Sequence, residues 1–224
     1  IRIASLAYQK GFGGHFHNDN SIAVLRDIPG ITIACPSNGP DAAMMLRECV
    51  RLAYEKNRIV VFLEPIALYM TKDLHKPKDD GWVFHYPSPE KLIHEGEVGV
   101  YGEGDVCIIS YANGYYLSRQ AEVILKKQGI NVKLIDLRWI TPLPEEALIK
   151  ELSSAKKILI VDECRKTGSL SETLTTFIYE SFTPCPIILR LTAKDSFIPL
   201  GDAWQSVLPS RGDIIEAVID LTRE

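Results

Sequence analysis

At 224 residues, 46% hydrophobic and 24% charged, the chain has a globular composition and enough length for one large domain or two ordinary ones. Its formal net charge is −4, with acidic and basic residues interspersed, which leaves no electrostatic footprint for nucleic acid or an anionic membrane surface. Five scattered cysteines without a CxxC pair argue against a disulfide scaffold or a structural zinc site and fit a reducing compartment.

Residues 1–6 are short, branched and apolar, as expected of a strand. A glycine-rich turn at 10–14 leads into the polar cluster His15-Phe16-His17-Asn18-Asp19-Asn20-Ser21, and Ser21 is placed to cap a short helix that ends before Pro29-Gly30. The apolar run 31–35 reads as a buried parallel strand, the stretch opened by Pro40-Asp41 as a helix whose apolar face carries Met44, Met45, Leu46, Cys49, Leu52 and Ala53, and 59–63 as a second buried strand. Residues 72–91 hold Pro77, Gly81, Pro87 and Pro89 with many charges and no period, which marks a linker. Strands at 106–111, 132–137, 158–161 and 187–191 then alternate with helices at 114–127, 144–152, 171–182 and 212–221. Alternation of this kind predicts an α/β fold of two three-layer domains with largely parallel sheets. No apolar stretch reaches the roughly 20 residues that span a bilayer, and no signal-peptide pattern opens the chain. The chain starts at Ile1 inside a strand pattern and reads as a piece of a longer, cytoplasmic polypeptide (mitochondrial matrix in a eukaryote).

Chemistry concentrates in the cluster at 15–20, where histidine is the side chain best suited to move protons near neutral pH. His15 and His17 lie two apart, so in an extended chain they face opposite sides and only one reaches a common site. On spacing alone, a polar surface loop with a helix cap is the preferred reading of this cluster. Glu64 follows the strand 59–63, and a carboxylate at the carboxyl end of a buried parallel strand is a candidate for function or a paired strand-end charge in equal measure. Cys164, beside Arg165 and Lys166, has the surroundings of a nucleophile but no neighbouring histidine, so a structural or interface loop is favoured there. Gly11-Phe12-Gly13-Gly14 lacks the lysine and spacing of a phosphate loop.

The ordered series GGHFHNDNS, IPGITIACPS, DAAMMLRE, VVFLEPIALY, GDVCIISYANG, VKLIDLRWITPLPEEAL and KILIVDECRKTGSLSE resembles the beta chains of pyruvate and branched-chain 2-oxo acid dehydrogenase E1 components, enzymes of the transketolase-like group that use thiamine diphosphate. The resemblance spans nearly the whole chain. It implies that residues 1–71 are the latter part of a pyrimidine-binding domain, 72–96 a linker, and 97–224 a transketolase-type carboxy-terminal domain. It assigns His17 to the family's active-site histidine, with His15 as second choice and Asn18, Asp19 and Glu64 in the substrate and cofactor vicinity. It implies thiamine diphosphate with Mg²⁺ held mainly by an alpha-type partner, and no metal ligand in this chain. The implied partners are an alpha subunit or segment, a second beta chain, and the E2 acyltransferase with its lipoyl domain. The essential glutamate of the family lies upstream of this sequence, so the chain alone is expected to be catalytically incomplete. FLEP at 62–65 leans toward the branched-chain type. A transketolase or deoxyxylulose-phosphate synthase, or a non-catalytic dimerisation and E2-docking module, are the alternatives.

Overall fold

The computed structural model describes residues 1–6, 8 and 21–223. Two sheets form its frame. In the first, β1 (Arg2–Ser5), β3 (Ile59–Pro65) and β2 (Ile31–Ala34) run parallel in that order, and β7 (Trp139–Thr141) closes the far edge antiparallel to β2. In the second, the order is β4 (Gly99–Tyr101), β6 (Val132–Asp136), β5 (Val106–Ser110), β8 (Lys157–Arg165) and β9 (Ile187–Ala193), parallel except for β4. The mixed α/β class with largely parallel sheets is as expected. The parallel central strands are apolar runs buried on both faces, the pattern such sheets require.

Helix α2 (Gly39–Glu55) follows from its sequence: Asn38 caps it by accepting the backbone N–H of Asp41 at 3.0 Å, and Pro40 occupies the first turn. Met45, Cys49 and Leu52 seat it on the outer face of the first sheet with Val60, Phe62 and Trp139. Helix α3 (Ala112–Lys127) and α6 (Arg211–Arg223) cover the outer face of the second sheet through Tyr115, Ala121, Leu125, Ile214 and Val218. The inner faces share one core, in which Ile33, Val61 and Leu63 of the first sheet join Ile109, Ile135 and Ile160 of the second. Helices α4 (Glu145–Leu152) and α5 (Leu170–Ser181) add Leu148, Leu152, Leu174 and Ile178 to it. A short helix, α1 (Ile22–Arg26), packs Ile22 against the same core.

Segment 72–96 contains no helix or strand, yet it is fastened down. Leu74, Trp82 and Ile93 are buried. Tyr116 Oη and Gln120 Nε2 of α3 donate to the carbonyls of Asp73 and Leu74, both at 2.6 Å, and Arg47 of α2 donates to the carbonyls of Ser88 and Lys91. The Asp79 carboxylate accepts four backbone N–H groups, from Leu74, His75, Lys76 and Gly81, which closes the turn. Strands β4 and β7, at three residues each, are too short to show a period in the sequence.

Candidate functional site

The carboxyl ends of the parallel strands are where an α/β sheet ordinarily works, and here both sheets direct those ends toward one region. Glu64 lies near the end of β3. Its Oε1 accepts from Arg2 Nε and its Oε2 from the Tyr69 hydroxyl. The Arg2 hydrogen bond, followed by that of Tyr69, holds the carboxyl below its ordinary range, so Glu64 is ionised at neutral pH. Beside it opens a cleft of about 590 Å³, walled by Phe62, Leu46, Phe84 and Tyr86 and bordered by Ser37 and Asn38. Mostly apolar walls with a few convergent polar groups are the usual make-up of a small-molecule site.

At the ends of β5, β6 and β8 sits a second, fully buried group. Asp162 Oδ1 accepts from the Tyr111 hydroxyl at 2.7 Å and the Cys164 N–H at 2.9 Å, and its Oδ2 accepts from the Ser171 N–H at 2.8 Å. Glu163 accepts from the Asn113 backbone N–H at 3.2 Å and from Asn113 Nδ2 at 2.9 Å. Burial outweighs these donors and pushes the Glu163 carboxyl up to about 8. Asp136, ending β6, is pushed up to about 7 by burial and by the nearby Asp41 charge. Strongly displaced acids in one region are a common mark of functional sites. The sequence offered the signal for Asp136, a carboxylate closing an apolar strand, just as for Glu64, but Val132-Lys133-Leu134-Ile135 reads first as core.

Cys164 is no nucleophile: it is 3% exposed, and burial drives its thiol well above the ordinary value. Residues 162–165 continue β8 instead of forming a loop. Cys35, Cys49 and Cys107 are buried as well, with the last two thiols pushed up to about 12.

His15, His17, Asn18 and Asp19 lie outside the described residues. The nearest described neighbours on either side, Tyr8 and Ser21, both bond to the carboxy-terminal part of the chain. Tyr8 Oη donates to the Pro209 carbonyl at 2.8 Å, and Ser21 Oγ accepts from Arg165 Nη1 at 2.8 Å. The Tyr8 hydroxyl is buried and feels the charges of Glu163 and Asp162. Among the described residues no group of three or more His, Cys, Asp or Glu is placed to hold a metal ion.

The family profile described as the transketolase C-terminal domain matches residues 96–208, just over half of the chain. The chain belongs to this family. The matched residues run from β4 to the turn before α6, and so take in the whole second sheet with α3, α4 and α5, together with β7 of the first sheet. Over 214 residues, 92% of the chain, it is 28% identical to the pyruvate dehydrogenase E1 component subunit beta of Bacillus subtilis (strain 168), covering 61% of that protein. The corresponding subunit of Staphylococcus aureus (strain Mu50) is 27% identical over 96% of the chain and 64% of its own length. The chain thus spans a little over three fifths of these relatives. Among solved structures, the split-gene transketolase described as an inactive beta4 tetramer superposes with a TM-score of 0.71 at 21% identity, covering 99% of this chain and 66% of that one. A Pichia stipitis transketolase mutant, R525L, gives a TM-score of 0.58 at 16% identity, covering 100% of this chain and 29% of that one. These two likenesses describe the fold.

Proposed function

We propose that this chain is the carboxy-terminal part of the beta-type component of a thiamine-diphosphate-dependent 2-oxo acid dehydrogenase. The observation that carries this reading is collinear similarity at 27–28% identity across 92–96% of the chain to proteins named as beta subunits of one such enzyme. That name favours pyruvate over a branched-chain 2-oxo acid. Residues 1–71 are read as the latter part of a pyrimidine-binding domain, 72–96 as the connection, and 97–224 as the carboxy-terminal domain. Thiamine diphosphate would bind at a subunit interface, its pyrimidine gripped by one domain and its diphosphate held through Mg²⁺ by an alpha-type partner. A second beta chain and an E2 acyltransferase with a lipoyl arm complete the proposed assembly, in the cytoplasm or the mitochondrial matrix. No helix among the described residues is long and apolar enough to cross a membrane.

Within this reading His17 orients the 2-oxo acid and moves a proton at the reacting carbon, with His15 as the second choice. Asn18, Asp19 and Glu64 belong to the surroundings of substrate and cofactor. The chain by itself, which spans only part of the relatives it matches, is proposed to be inactive.

The test is dye-coupled 2-oxo acid oxidation by the full-length protein supplied with its alpha partner, thiamine diphosphate and Mg²⁺. Pyruvate-dependent dye reduction should appear and drop about 10²–10⁴-fold in His17→Ala, the range for loss of a positioned proton-transfer group. Ketol transfer between sugar phosphates with no dye reduction would move the protein to the transketolases. Loss of activity in His15→Ala but not in His17→Ala would exchange the two histidines.

A further inference from the structure

One wall of the cleft is the segment 36–43, where β2 passes into α2; Ser37, Asn38, Gly39 and Ala43 line it. Three bonds fasten this wall and its approach to the end of β6 and the β6–β7 connection. The Cys35 N–H donates to the Arg138 carbonyl at 2.7 Å, Ser37 Oγ donates to Asp136 Oδ1 at 2.8 Å, and Arg138 Nε donates to Asp41 Oδ2 at 2.7 Å. Charge does not balance in this joint. Two carboxyls share one guanidinium, and that guanidinium bonds to Asp41. Asp136 is 1% exposed, and its Oδ2 has no hydrogen-bond partner among the described residues. A buried carboxylate left this way is costly by several kcal/mol, and a neutral carboxyl is the usual escape.

The groups facing Asp136 are Asp41 from α2, Ser37 and Cys35 from the end of β2, Tyr115 from α3, and Arg138. Among these described residues Arg138 is the one cation. It sits in the left-handed region at φ 61°, a strained conformation for a residue with a side chain, which the joint must maintain.

We propose that this joint is a proton-dependent latch on the cleft wall: with Asp136 neutral the cluster is uncharged overall and clamps residues 36–43 to the second sheet, and loss of that proton sets Asp136 against Asp41 and loosens the wall. Ser37 is the link between the two states, since it borders the cleft and donates to Asp136. The carboxyl is raised from 3.8 to about 7, so the latch is strongest below about pH 4, weakens through the intervening range and levels off above about 7. The inference rests on the joint alone and is independent of the reaction proposed above.

Hydrogen exchange of the full-length protein at pH 5, 6, 7 and 8, expressed as protection factors to remove the intrinsic rate, tests it. The amides of Asp41 and Ala42, which bond to Asn38, should lose protection by roughly tenfold per pH unit between 5 and 7 and then level off, as single-proton linkage requires. Asp136→Asn should remove that slope and keep the protection high throughout. Asp41→Asn leaves Arg138 free to pair with Asp136, so the levelling-off should move to lower pH; this variant decides the matter if Asp136→Asn fails to fold. Protection that is flat from pH 5 to 8 in the wild type, or a slope that survives Asp136→Asn, would overturn the latch.

Discussion

Glu163 carries a carboxyl into the dry space at the end of β8, where the amino-terminal turn of α3 receives it. Its folded-state pKa, about 8, lies above the ordinary 4.5, so the neutral acid is the form the fold prefers. Its contribution is fully present below about pH 4.5 and is lost as pH rises toward 8, at no more than about 1.4 kcal/mol per unit. Glu163→Gln should flatten this part of the stability–pH profile measured by urea unfolding at pH 5 to 8. It should also cost about 1 kcal/mol at pH 5, because an amide nitrogen cannot accept from Asn113 Nδ2 as the carboxyl oxygen does. A profile as steep as that of the wild type would show that another group titrates. Tyr111→Phe leaves Asp162 with its two backbone donors and removes the third, for a loss of about 1–2 kcal/mol in the same assay.

Helix α2 depends on its cap, and Asn38→Ala should lower stability by about 1 kcal/mol, readable as a shift of the urea midpoint at unchanged slope. The opening of this helix at Pro40-Asp41 is legible in the sequence, as are the buried strands 31–35, 59–63 and 106–111 and the amphipathic helices, because each announces itself within its own residues; the Asn38 cap is a finding of the structure. What is not legible is long-range. Trp139-Ile140-Thr141 has no local strand period, and only its pairing with Ile33 and Ala34 of β2 makes it β7. Trp139→Ala should therefore cost about 3–5 kcal/mol, since it empties a fully buried position among Met45, Phe62 and Ile93. The site divides in the same way. Glu64 is legible as a strand-end carboxylate, but its ion pair joins residues 62 positions apart, and the Ser37–Asp136 bond joins residues 99 apart. No spacing rule reaches over such distances.

Across the whole molecule, burial separates the cysteines: Cys35, Cys49, Cys107 and Cys164 are covered, and Cys185 is exposed. A thiol reagent should thus modify one of the five quickly in the native protein and all five in denaturant; more than one fast thiol would contradict the packing of the shared core or of α2 on the first sheet. The first sheet, moreover, is built from two distant stretches of chain, because β7 follows β6 of the second sheet. Dividing the polypeptide near residue 96 would strip β7 from β2 and leave the backbone groups of Ile33 and Ala34 open along an apolar strand. An uncovered edge of that kind is a template for pairing between molecules. The amino-terminal piece produced by itself should accumulate as aggregate, and supplying residues 97–224 in trans should rescue it by returning the missing strand.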